Sequence, residues 1–285
     1  MRSLWKLFSV MTLSGALLLT GCSDSGSNET AADKPEQPKL TPTQVIDKSM
    51  QAMDKSGHTY DVKADQSITA ASGDVSQTIK TRTTSTINVT TNPMAMHLKG
   101  QTESSGMTEE MEMYLVDNTL YNKIPEMGWI KAQMDMSALD ATQDPTAGLK
   151  QLEQMFEKLG GNVLPDGVTL NEEGNQYVLS IDFMSLKNED QSFESVLKDQ
   201  ITNSLQGSGF DATQLKDMKF EKLNQKIFID KNTFKQTKTT QEMNISITVD
   251  QDSLKIEQQM EMNLKGEYNQ KIEVPEDVKN SAQQV

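Results

Sequence analysis

The chain has 285 residues, of which 41 are Asp or Glu and 27 are Lys or Arg, for a formal net charge of −14. So acidic a surface repels phosphates and anionic headgroups, which excludes nucleic acid as a partner and limits any lipid ligand to one gripped by its tails or neutral or cationic at its head. Two histidines, one cysteine and the lack of a glycine-rich phosphate loop, HExxH or GxSxG after residue 21 argue against an enzyme and leave no catalytic residue, metal site or cofactor to assign.

Arg2 and Lys6 flank the start of a 13-residue apolar stretch, Leu7 to Leu19. A basic start and a short apolar core read as a secretory signal peptide, because a permanent helical span takes about 20 residues. Leu19-Thr20-Gly21-Cys22 resembles the bacterial lipobox, which implies that residues 1–21 are cleaved and that the Cys22 thiol takes a diacylglycerol. Cys22 is the lone cysteine, so no internal disulfide forms. Cleavage removes Arg2 and Lys6 and shifts the net charge from −14 to −16. Ser23 to Lys39 contains no Val, Ile, Leu, Met or aromatic residue, so residues 22–40 form a lipidated, disordered tether with a root-mean-square span of about 20 to 25 Å. The expected location is the extracytoplasmic face of the cell membrane, with the membrane itself as first partner.

Thr41-Pro42-Thr43-Gln44 predicts a helix over 42–55, with Thr41 as N-cap, Gln44 completing a capping box, and Val45, Ile46, Ser49, Met50 and Met53 on one face. Alternation of period two follows. Val75, Ile79, Ile87 and Val89 share one parity, Met94, Met96 and Leu98 make an even run, and Met107, Met111, Met113 and Leu115 an odd one, with turns at Gly73 and Asp117-Asn118. Leu120 to Ile124 and Trp129-Ile130 continue the pattern. Helical spacing returns near 146–159 and 190–206, on either side of a hairpin through Val168, Leu170, Leu179 and Ile181. Lys226 to Asp230 resumes strand, and Met243, Ile245 and Ile247 lead through a turn to Leu254, Ile256, Met260, Met262 and Leu264. Pro275, which cannot donate to a ladder, marks the point where the tail leaves the sheet.

This order predicts a single α+β domain over 41–282, with a short tail at 283–285. Two similar halves join their meanders into one large curved antiparallel sheet, with a few helices on its apolar face. The lipobox, the helix from Thr41 to Met53, Asn92-Pro93-Met94-Ala95-Met96, Glu112-Met113-Tyr114-Leu115, Trp129-Ile130-Lys131 and Ile272-Glu273-Val274-Pro275 resemble the DUF6612-type lipoproteins of Gram-positive bacteria. That resemblance implies a LolA-like half-barrel, similar to the LppX/LprG group, in which a curved sheet wraps helices around a cavity for acyl chains.

Sixteen of the 18 methionines follow Cys22, and four pairs are spaced Met-x-Met: Met94 and Met96, Met111 and Met113, Met134 and Met136, Met260 and Met262. In a strand this spacing puts both thioethers on one face. Three uses compete: adaptable core filling, the lining of an apolar ligand cavity, and a soft Cu(I) site. His97 has the wrong parity to join Met94 and Met96 in a metal site. The cavity use makes Met94, Met96, Met111, Met113, Met260 and Met262 the candidate lining, with Glu110, Glu112, Glu257 and Glu261 facing water; Tyr121 and Trp129 read first as core or rim packing, with the cavity mouth as the alternative. The sequence thus points to a non-enzymatic binder of a hydrophobic or lipid-like ligand. The alternative is a surface sensor or scaffold that binds another protein, whose identity the sequence does not disclose.

Overall fold

The computed structural model describes residues 40–54, 57–91, 93–125, 127–133, 164, 166–186, 198, 215–249 and 252–284. The helices expected at 146–159 and 190–206, the tether, Cys22, Met134 and Met136 lie outside the described residues, apart from Lys198, which is helical.

Helix α1 (Pro42–Asp54) begins with the reciprocal bonds of a capping box. Thr41 N donates to Gln44 Oε1 at 2.9 Å and Gln44 N to Thr41 Oγ1 at 3.3 Å, which satisfies donors that a helix start leaves free. Val45, Ile46, Ser49 and Met53 are buried on its inner side.

Twelve strands of the described residues then form one sheet. The first meander is β1 (Gly57–Ser72), β2 (Val75–Thr91), β3 (Met94–Ser104), β4 (Met107–Val116), β5 (Thr119–Ile124) and β6 (Gly128–Gln133). The second is β7 (Val168–Glu173), β8 (Gln176–Asp182), β9 (Leu215–Asp230), β10 (Gln236–Val249) and β11 (Asp252–Tyr268); α2 (Glu276–Ser281) and β12 (Gln283–Gln284) close the chain. The spatial order is β12-β6-β5-β4-β3-β2-β1-β11-β10-β9-β8-β7, so the meanders meet where β1 pairs antiparallel with β11 from Gly57↔Tyr268 to Ser72↔Asp252. Asp117 and Asn118, at φ 50° and 61°, make the two-residue hairpin turn whose twist suits flanking strands. At the β9–β10 turn Asp230 Oδ1 accepts from the backbone N–H groups of Asn232 and Thr233.

The described residues are therefore mostly strand, with two helices among them, and the expected α+β balance is met only loosely. No helix of the described residues is long and apolar enough to cross a membrane. The two faces of the sheet differ sharply. One face, the inner, carries three apolar cores. Val45 and Ile46 of α1 pack with Val168, Leu179, Ile181, Ile227 and Ile229. Met53 packs with Tyr60, Val62, Ile87, Val89, Leu98, Met260 and Met262. Ile68, Met218, Phe220, Ile245, Ile247, Leu254 and Ile256 fill the far end. A register shift opposite Asn244 and Ile245 keeps both Phe220 and Leu223 of β9 inward, although their parity differs. That shift hid the first half of β9, which begins at Leu215 rather than near Lys226.

The outer face is polar except at one end. There Ile272, Val274 and Val278 are buried against Ala95 and Tyr114, with Tyr121, Trp129 and Val116 beside them. Pro275 is thus not an exit from the fold. The strand has already ended at Tyr268, and Pro275 leads into α2, where Lys279 N donates to Pro275 O at 3.0 Å. Within the expected tail, Gln283 and Gln284 pair in parallel with Ile130 and Lys131, the one parallel contact between strands of the described residues.

Candidate functional site: a methionine-bearing apolar face

Register decides which side chains share a face. Leu264 of β11 lies opposite Tyr60, Tyr60 opposite Ile87, Ile87 opposite Leu98, and Leu98 opposite Met113 of β4. The next row runs Met262, Val62, Ser85, Gly100, Met111, and the row beyond begins Met260, Ala64, Thr83, Thr102. Met96 lies opposite Val89 and Leu115, and Met94 opposite Thr91. All six candidate methionines therefore lie on the inner side of the ladder.

They are not equivalent. Met260 and Met262 are buried at 7% exposure each, and Met96, Met111 and Met113 are half-buried against the same core. Met94 is 41% exposed at the start of β3, and lies at the rim of the face rather than within it. Strands are spaced about 4.8 Å apart, so the methionines of β11 and β4, four spacings apart, are separated by about 19 Å along the sheet. They form two groups, which suits a broad apolar surface better than one soft-metal site. Among the described residues no group of three or more His, Cys, Asp or Glu is placed to hold a metal ion.

The opposite parity holds Glu110, Glu112, Glu257 and Glu261, whereas Glu109, opposite Thr102, shares the methionines' parity at an exposed position. Glu110 is freely exposed, and Glu257 and Glu261 are exposed enough to pair with Lys255 and Lys238 at 3.0 and 2.5 Å. Glu112 departs from this pattern. It is 20% exposed and accepts from His97 Nε2 at 3.0 Å and from the Tyr114 hydroxyl at 2.9 Å. The His97 and Tyr114 rings stack at 4.2 Å. Burial works to raise the Glu112 carboxyl, but the bonds from His97 and Tyr114 outweigh it and hold it below the usual range. Tyr121 and Trp129 take the packing role expected of them rather than a place at a cavity mouth, against the C-terminal segment on the outer side. Their parity carried that signal, since both are odd on strands whose inner positions, Leu120, Asn122 and Ile130, are even.

An open cleft of about 720 Å³ lies on the outer face, lined among others by Asp65, Lys80, Arg82, Glu103, Lys222 and Glu242. Four of these charges pair across it, Arg82 with Asp65 at 2.7 Å and Lys222 with Glu242.

The DUF6612 model, which describes a family of unknown function, matches residues 41–283. No curated protein matches the chain. Among solved structures, the chain is similar to a β-barrel-like protein of the domain of unknown function DUF1849 from Brucella abortus, at 9% identity and a TM-score of 0.25, over 73% of this chain and 98% of that one. It is also similar to a DUF1329 family protein from Desulfovibrio piger, at 10% identity and a TM-score of 0.17, over 76% and 89% of the two chains. Neither likeness extends to an argument about fold or ligand. The family match spans nearly all the described residues, from the capping box of α1 to the first residue of β12: the chain belongs to the DUF6612 family.

Proposed function

We propose that the protein is an extracytoplasmic lipoprotein, anchored by a diacylated Cys22, that binds a hydrophobic or lipid-like ligand on a LolA-like half-barrel and catalyses no reaction. The observation that carries this reading is the inner face itself. It carries apolar cores from β4 to β8, and its flexible side chains in the first meander, Met96, Met111 and Met113, are half-buried rather than sealed. Thioether side chains re-pack around irregular apolar shapes, which suits acyl chains. The lipobox at Leu19-Thr20-Gly21-Cys22 and the polar tether after it support the anchor.

The test is uptake of an apolar fluorescent probe by Met113→Gln and Met262→Gln, with Glu257→Gln on the outer face as control. Loss of uptake in methionine variants that still melt cooperatively supports a ligand face. Burying an amide without a partner costs about 1 to 3 kcal/mol in either case, so the melt is measured alongside. A folded wild type that takes up no probe would leave the methionines as ordinary core and favour the protein-binding scaffold.

A further inference from the structure

The inner face has a polar belt across its middle. Gln225 of β9 lies opposite Gln241 of β10, and Gln241 lies opposite Met260 of β11. One step along, Gln258 of β11 lies opposite Gln66 of β1, and the Gln66 amide donates to Gln258 Oε1 at 3.4 Å. Thr83 and Thr102 extend the belt, joined hydroxyl to hydroxyl at 2.9 Å. On one side lies the core holding Met260 and Met262, and on the other the core holding Ile245 and Ile256.

Amides are costly in an apolar face unless they are satisfied. Gln225 is 5% exposed, and Gln241 Oε1 is buried without a hydrogen-bond partner among the described residues. A carbonyl oxygen accepts only, so the missing partner is a donor, a hydroxyl or an amide N–H. Around Gln241 the belt is also uncharged, the nearest carboxylate of its rows being Glu109, opposite Thr102 at the β4 end. At the inward positions of β1, β11 and β10 from the Tyr60 row to the Ile68 row there is no Lys, Arg, Asp or Glu, so a charged headgroup would be desolvated with nothing to pair it.

We infer that the ligand is an uncharged amphiphile whose hydroxyl or amide N–H donates to Gln241 Oε1, with its apolar parts lying over the methionine core on one side of the belt and the isoleucine core on the other. This rests on the ligand-binding reading above and specifies its chemistry. It assigns Gln241 as a specificity residue and selects against phosphate-bearing and carboxylate lipids.

The experiment uses the exported chain from residue 22, with Cys22→Ser so that no acyl chain of its own competes. Binding of radiolabelled 1,2-dioleoylglycerol is compared with its 3-acetyl derivative, which lacks the donor, and with dioleoylphosphatidic acid, which is anionic. Wild type is expected to prefer dioleoylglycerol over the acetyl derivative by about tenfold, the scale of one buried hydrogen bond, and to bind the phosphatidic acid least. Gln241→Leu should erase that preference while leaving the acetyl derivative bound within about twofold of wild type. If Gln241→Leu fails to melt cooperatively, Gln241→Met, of similar volume, takes its place. Equal binding of all three lipids by wild type, or a preference that survives the substitution, overturns the inference and leaves the apolar ligand face standing. Binding of none overturns both.

Discussion

His97 donates to Glu112 over 3.0 Å on the outer side of the sheet, while the methionines on either side of each, Met96, Met111 and Met113, turn to the inner side. The bond makes the Glu112 carboxyl easier to ionise in the folded chain than in the unfolded one. A carboxyl held low in the fold contributes stability above its unfolded value, near pH 4 to 5, and that contribution is lost as pH falls through the folded value. Glu112→Gln is therefore expected to cost about 1 to 2 kcal/mol at pH 7, with the gap to wild type closing below about pH 4. Urea denaturation at pH 7 and pH 3.5 reads this directly, and parallel losses at both would remove the charge from the explanation.

The strap formed by residues 270–284 offers a second measurement. Its Ile272, Val274 and Val278 cover Tyr114 and Trp129, and Trp129 is the sole tryptophan of a chain begun at residue 22. Ile272→Ala is expected to cost about 2 to 4 kcal/mol. Truncation after Gln270 should shift tryptophan emission to the red, and an unchanged spectrum would mean that the strap does not hold its place in solution.

Gly100 lies between Ser85 and Met111 on the inner face, where an added Cβ would meet Thr84 O and come within 2.5 Å of Ser85 Cβ and 2.7 Å of Ser85 Cα. The obstacle is mostly backbone and cannot rotate away. Gly100→Ala is expected to cost about 2 to 3 kcal/mol by forcing β2 and β3 apart. A denaturation midpoint equal to wild type would contradict the close approach.

Cys22→Ser should release the protein from membranes or leave it unprocessed, and mass spectrometry of the wild-type N-terminus should find a diacylglyceryl group on Cys22. An unmodified N-terminus elsewhere in the chain would refute the anchor.

Much of this arrangement was legible in residue order because it is local. The capping box of Thr41 and Gln44 and the alternation in β10 and β11 each depend on neighbours a few positions apart. The methionine parity was legible for the same reason. Alternation tells which face a side chain takes but not what covers it. Val75, 60% exposed, and Met107, 65% exposed, have inward-type parity yet pair with Ser72 and Ser104 at hairpin tips, beyond the reach of the core. Glu112 reads as a solvated acid until Tyr114 and His97 close on it. The pairing of β1 with β11, the strap, and the parallel strand β12 join residues far apart in the chain, and no short-range pattern records them.

The seam between β1 and β11 also governs how the molecule comes into being. β1 is made early and pairs at once only with β2. Its other edge, 16 residues long, waits for a strand near the end of the chain. Such long-range closure makes for slow folding, and an unpaired edge of that length invites pairing with other chains until it is covered. A polypeptide that cannot seal itself until nearly all of it has emerged stays threadable. On the proposed route of export, that property lets the chain pass a translocation pore in extended form and knit its two halves together on the far side.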